Sequence, residues 1–251
     1  VWDLGSSEAA EFTKLAETTY RDVNIALSNE FARFASAAHL NVYEVIEAAN
    51  SQPFSHIHRP GISVGGHCIP VYPRLYLAGD PGAQLPALAR DVNEAVPGAM
   101  VRALAELAGG LAGQRVVILG AAYRGGVKET AFSGVFPLAG ELSRLGATPL
   151  VHDPLYTAGE LRDLDLEPYC LGETCDAAIL HTDHAAYVTL TPADLPGVRA
   201  LLDGRAITEP HLWAAVPRAV LGIGQASPGQ DPGPGWASGR AGTPITTAPL
   251  G

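Results

Sequence analysis

Gly65-Gly66-His67-Cys68 places a thiol directly after two glycines and a histidine. Glycine allows backbone conformations and close approaches that a Cβ forbids. A thiolate at such a turn can attack a carbonyl carbon and hold an acyl group as a thioester. The same pattern suits a small buried side chain, because free cysteine is among the most buried residue types. On spacing alone that packing reading is favoured. His67 beside Cys68 is a poor start for a metal centre, since no further ligands follow at metal-binding spacing, and no metal is expected. A second polar group, Lys14, Thr18, Arg21, Asp22 and Asn29, shares one broad side of a helix by i+4 and i+7 spacing. Lys14 could hold an anion there. Taken alone, the stripe is favoured as a solvated face.

The elements that must position these residues are legible in part. Over residues 8–39, Phe12, Leu15, Val23, Leu27, Phe31 and Phe34 recur at helical intervals, with no Pro or Gly. A helix of about 30 residues would be about 45 Å long, a length that suits a domain connection or a dimer seam. Asn41 and Glu44 fit a capping box for a second helix over 42–49. Gly and Pro break the pattern through 59–73. Helical pattern resumes over 85–96 and again after Pro97, which suits a first helical turn. From residue 115 the character changes. Strands are expected over 115–119, 148–152, 177–180, 200–202 and 219–223, with a helix over 136–145. Strand, helix, strand in that rhythm implies a Rossmann-like parallel sheet. The fold class is therefore α/β, an all-helical region followed by a parallel-sheet domain. The division expected is 1–110 helical, 112–223 α/β and a tail over 224–251. Residues 225–251 contain 6 Gly and 5 Pro, so the tail is expected to be disordered.

Composition excludes several classes. The 251 residues carry 16 Lys and Arg against 26 Asp and Glu, a net charge of −10, which gives no general attraction for nucleic acid or an anionic membrane. No apolar run is long enough for a membrane span, and the first residues lack the basic and apolar regions of a secretory signal. Cys68, Cys170 and Cys175 are an odd number and too few for a disulfide scaffold, so reduced thiols and a cytoplasmic location are expected. A chain that starts on Val1, a few residues before a helix, is expected to be either part of a longer protein or the product of an alternative start codon.

Two long stretches carry a resemblance. KLAETTYRDVNIALSNEFARFASAAHLNVYEVIEAAN followed by PGISVGGHCIPVYP is similar to the central, catalytic segment of the UDP-glucose/GDP-mannose dehydrogenase family, nearest to its N-acetylmannosamine branch. VVILGAAYRGGVKETAFSGVFPLAGELSRLGATPLVHDP resembles the family's UDP-binding domain. The resemblance covers about residues 7–222. It implies oxidation of the C6 alcohol of a UDP-sugar to a carboxylate in two hydride transfers to NAD+, to make a building block for polysaccharide. It places Cys68 at the nucleophile, Lys14 at the lysine that stabilises the oxyanion, and Thr18 where the family has a catalytic asparagine. Gly65, Gly66, His67, Tyr123 and Arg124 fall at substrate-binding positions. A homodimer formed through the long helix is also implied.

The departures from the family pattern bear on activity. Thr18 lacks the amide of asparagine, Tyr72 stands where the family has an aspartate, and Ala131 where it has an arginine. The family's N-terminal NAD-binding domain has no counterpart. The one Gly-containing βα turn, GAAYRGG, lacks G-x-G-x-x-G and sits where the UDP-binding domain belongs, so the NAD site is expected mostly outside this chain. The alternative expectation is a catalytically impaired UDP-sugar-binding module or a dimerisation fragment. HTDH, residues 181–184, resembles the family's strand-end text and needs no catalytic role. Cys170 and Cys175 read as unpaired.

Overall fold

A computed structural model describes residues 2–224. The expected tail lies outside the described residues apart from Gly224. Four helices come first: α1 (Ser7–Ala37), α2 (Val42–Ala49), α3 (Tyr72–Gly79) and α4 (Gln84–Ala108). The long helix is real, at 31 residues, and starts where the Ser6 side chain accepts the Ala9 N–H. Asn41 caps α2 by accepting from Tyr43 N–H, while its amide donates to Glu44. One expectation fails at Pro97. It lies inside the continuous helix α4 and starts no new one. Helix α3, entered with Pro73 in its first turn, was not foreseen.

The second part alternates β1 (Arg115–Leu119), α5 (Val135–Arg144), β2 (Thr148–His152), α6 (Ala158–Arg162), β3 (Ala177–Leu180), β4 (Ala200–Asp203) and β5 (Arg218–Val220). All pairings are parallel, in the order β2-β1-β3-β4-β5. Apolar residues on both faces bury the sheet, as parallel sheets require. Val116, Ile118, Ile179 and Leu202 pack on one side with Val101 and Leu104 of α4 and Leu138 and Leu142 of α5. Val117, Leu119, Leu180 and Leu201 pack on the other with Tyr187 and Trp213. Helix α4 thus binds the helical part to the sheet. Register places Leu119 beside His152 and Leu180, and Leu180 beside Asp203. The polar residues that follow these strand ends therefore gather along one edge.

Among the described residues, no helix is long and apolar enough to cross a membrane.

Candidate active site

The polar side of α1 is solvated only in part, contrary to expectation, with Lys14 and Arg21 open to water. Thr18 and Asp22 are fully buried and Asn29 nearly so, whereas Phe12, Tyr20, Leu27, Phe31 and Phe34 are exposed. The reason is a partner in α4. Arg90 Nε donates to Asp22 Oδ2 at 2.7 Å, and Asn93 donates to Asp22 Oδ1 at 2.8 Å. Asn29 in turn donates to Asn93 Oδ1 at 2.9 Å and accepts the Gly61 N–H at 3.0 Å. Burial pushes the Asp22 carboxyl up, while Arg90 and Asn93 pull it back. Asn24 works in the same sense. It donates to the His56 carbonyl and accepts from His58 N–H. Helix α1 thereby fixes residues 56–61, the entry to the cysteine turn.

From Gly61 the turn crosses to the sheet edge. Ser63 Oγ lies 3.1 Å from His181 Nε2, and the Gly66 N–H donates to the Ala131 carbonyl at 2.8 Å. His67 Nε2 meets Glu129 Oε2 at 3.1 Å. That contact holds the Glu129 carboxyl below its usual range, helped by the Ala131 N–H. Gly65 and Gly66 pack on Tyr123. A Cβ on Gly65 would stand 2.5 Å from Tyr123 Cβ and 3.0 Å from the Phe132 carbonyl oxygen, and Gly66 has φ +92. The glycines thus admit a tyrosine side chain. Gly65→Ala is expected to destabilise the fold by about 1–3 kcal/mol through overpacking. Gly140→Ala, on open helix surface, is expected to stabilise it by about 0.5–1 kcal/mol. Urea midpoints of the two variants check the pair, and equal shifts in the same direction would refute it.

Lys14 and Tyr72 meet where the turn runs into α3, and the Tyr72 N–H donates to the Cys68 carbonyl at 2.9 Å. Lys14 Nζ lies 5.7 Å from the centre of the Tyr72 ring and 2.8 Å from Glu17 Oε2. The Glu17 bond raises the Lys14 pKa, and the neighbouring Cys68 and Tyr72 groups add to that rise. Cys68 is a half-buried free thiol. Thr18 does not join them through its hydroxyl proton, which goes to the Lys14 carbonyl at 2.7 Å, one turn back in its own helix. Arg124 is exposed beyond Tyr123.

The strand ends are filled by the protein's own groups. Asp153, after β2, accepts from Ala121, Ala122 and Leu155 N–H. His184 accepts from Gly126 N–H through Nδ1, so its Nε2 donates to Asp153 Oδ2 at 3.1 Å. Tyr187 donates to the His152 carbonyl, and the His152 ring, its pKa lowered by burial, contacts the Tyr187 oxygen. Arg205 Nε donates to the His181 carbonyl and its Nη2 to the Tyr123 carbonyl. In a dinucleotide fold the acid after the second strand binds a ribose hydroxyl. Here that acid is buried and occupied, so this sheet edge does not fit a dinucleotide.

The central-domain model of the UDP-glucose/GDP-mannose dehydrogenase family matches residues 8–95, and the family's UDP binding domain model matches residues 117–210. The chain belongs to the UDP-glucose/GDP-mannose dehydrogenase family. A UDP-N-acetyl-D-mannosamine dehydrogenase of Methanococcus maripaludis is 33% identical over 218 residues, 84% of this chain and 51% of the relative. One from Pyrococcus horikoshii is 38% identical over 191 residues, 73% of this chain and 44% of the relative. The solved structure of UDP-D-ManNAc dehydrogenase from Pyrococcus horikoshii superposes with a TM-score of 0.73 at 31% identity, over 86% of this chain and 52% of that one. The chain spans about half the length of the curated relatives it matches.

Seen as a UDP-glucose/GDP-mannose dehydrogenase family member, the site gathers most of the expected residues. Lys14 lies over the Tyr72 ring, one turn after Cys68. Gly65, Gly66, His67 and Tyr123 form the contact between turn and sheet edge. Ala131 contributes its backbone to that contact, so the missing arginine leaves the two ties intact. Sequence reasoning missed Asn24, Ser63, Arg90, Asn93, Glu129 and Arg205. Arg205 had a signal, a cation directly after the β4 end at the predicted sheet edge.

Proposed function

We propose that this chain supplies the nucleophile and the UDP-sugar site of a nucleotide-sugar 6-dehydrogenase, which makes a uronic acid from UDP-N-acetylmannosamine or a similar UDP-sugar. The observation that carries the reading is Lys14 over the ring of Tyr72, whose backbone N–H bonds the Cys68 carbonyl, beside the seam between turn and sheet edge. Cys68 adds to the C6 aldehyde, and Lys14 offers a fixed positive charge to the oxygen that becomes negative as the C–S bond forms. After oxidation to the thioester, water attacks the carbonyl carbon, the C–S bond breaks and the acid leaves. Hydride acceptance is the chemistry that NAD+ supplies when bound, and its site belongs to sequence beyond these residues or to another chain. Residues 1–110 and 112–223 act as the catalytic and UDP-binding parts, with Tyr123 and Arg124 facing the nucleotide and Gly65, Gly66 and His67 shaping the sugar end. A cytoplasmic location fits a UDP-sugar substrate.

UDP is the probe that tests the binding half. A ligand at 100 times its Kd that binds only the native state adds about 2.7 kcal/mol. At about 2–4 °C per kcal/mol, Tm should rise by about 5–10 °C. An unchanged Tm at millimolar UDP would count against the reading. Nucleotide binding without acid formation, once the cofactor portion is present, would favour the impaired-module alternative, which the Thr18 geometry and Tyr72 support.

The exposed stripe on α1 supports a homodimer. Phe12, Tyr20, Leu27, Phe31 and Phe34 fall within one side of the helix and are unusual as a solvent-facing surface. Light scattering at micromolar concentration should give twice the chain mass, and Phe31→Glu with Phe34→Glu should give the monomer. A monomeric parent protein would contradict this.

A further inference from the structure

His181 is the one fully buried imidazole that joins the sheet edge to the cysteine turn. Its Nδ1 faces the Gly120 carbonyl at 2.9 Å and Thr182 Oγ1 at 3.0 Å. The Thr182 hydroxyl proton goes to the Ala122 carbonyl at 2.6 Å. Nδ1 must therefore carry the hydrogen, and Nε2 is an acceptor. Among the described residues, the one donor at Nε2 is Ser63 Oγ–H, at 3.1 Å. Burial, with Arg205 nearby, depresses the imidazole pKa to about 3, so the ring is neutral and its tautomer fixed. The backbone makes room for the bond. A Cβ on Gly134 would lie 2.2 Å from Ser63 Oγ and 2.8 Å from His181 Nε2.

We propose that the Ser63–His181 bond is a lock that sets where Cys68 stands relative to Lys14, and that His181 is a positioning residue for the thiol. Nearer Cys68, the side-chain tie His67–Glu129 has both partners well exposed, at 68% and 43% of their side-chain surface. Water competes for that contact. The Ser63–His181 bond is shielded from water on its histidine side, where a hydrogen bond is electrostatically stronger and its loss leaves a buried acceptor unsatisfied. Ser63 lies between two anchors, Gly61 held by Asn29 and Gly66 held by Ala131. Freeing Ser63 lets the thiol that follows drift from the Lys14 charge, and a nearby cation favours the thiolate that an alkylating reagent attacks.

The inference rests on the reading of Cys68 as the reactive group. Its test needs no nucleotide sugar, so failure of UDP to bind and failure of the lock are separate results. The rate of Cys68 alkylation by iodoacetamide at neutral pH is read by peptide mass mapping, with exposed Cys170 as the internal standard. Ser63→Ala and His181→Asn should each slow Cys68 by about threefold to tenfold, the size of one hydrogen bond, and leave Cys170 unchanged. Asn keeps the Nδ1-side donor for Gly120 and gives up the reach to Ser63. His181→Gln, which puts an acceptor near the Nε2 position, should recover most of the rate. The double variant should be no slower than the slower single one, because both remove the same bond. A Cys68 rate in Ser63→Ala within about 1.5-fold of the parent, too small for a lost hydrogen bond, overturns the proposal. So does equal slowing of Cys170, or effects that multiply in the double variant. Ser63→Ala removes one exchangeable hydroxyl from a half-buried site, so it keeps the test open even if a histidine variant fails to fold.

Discussion

Replacing Cys68 by serine is expected to reduce uronic acid formation by about 10³-fold or more, in a form of the protein that also carries the cofactor portion. A thiolate is available near neutral pH and a serine alkoxide is not. The hydroxyl therefore cannot form the covalent intermediate at a useful rate, even with Lys14 beside it. The change is nearly isosteric, and Cys68 is only half-buried, so the fold and the UDP-induced rise in Tm should be unaffected. That separates loss of the nucleophile from loss of the site. The acid is measured directly by mass spectrometry. If full turnover to the acid survives, Cys68 is not the nucleophile.

The second large effect is on stability. Arg90→Leu leaves Asp22, whose side chain is fully buried, without its cation. Breaking one side of a buried ion pair destabilises by about 3–5 kcal/mol. At about 2–4 °C per kcal/mol, Tm should fall by about 6–20 °C. A pH series identifies the cause. Burial already raises the Asp22 carboxyl above its ordinary value in the parent protein, and loss of Arg90 raises it further. A carboxyl whose folded pKa exceeds its unfolded one binds more protons in the native state, so stability rises as pH falls through that folded pKa. The deficit of Arg90→Leu should therefore be largest at neutral pH and shrink toward acid. A deficit that does not change with pH would mean that lost packing by the arginine stem, rather than the stranded carboxylate, is responsible.

These expectations show how much was legible in the sequence. Helix α1, the bounds of α2 and the first three strands follow from periodicity, caps and turn residues within a few positions, because those signals are local. The facing of α1 did not follow. An apolar stripe normally points inward, but here Asp22 and Asn29 are satisfied by Arg90 and Asn93, more than sixty residues away, and no local pattern reports such partners. Pro97 misled for a related reason. Its missing N–H suits a first turn and costs about 3 kcal/mol in a helix interior, a cost that burial of Asn93 and Val101 on either side offsets here. The glycines before Cys68 were legible as a place of close approach. That Tyr123 is what approaches is a tertiary fact. The resemblance located Lys14 and Cys68, and the fold links them through Tyr72, whose ring lies under Lys14 and whose N–H bonds the Cys68 carbonyl. Ser63, Glu129 and Arg205 are single polar residues in loops, and only the sheet register, which gathers strand ends onto one edge, gives them a place.

The most direct test of a UDP-sugar site with the sugar end at the cysteine is protection of that cysteine. The chain is alkylated with iodoacetamide in the presence of UDP-N-acetylmannosamine, of UDP, and of neither, and the rates at Cys68 and Cys170 are read peptide by peptide. Saturating UDP-N-acetylmannosamine should protect Cys68 strongly, UDP should protect it less, and Cys170 should react at one rate throughout. If Cys68 reacts equally fast with and without the nucleotide sugar, the sugar does not sit at the cysteine, and the proposed site is wrong.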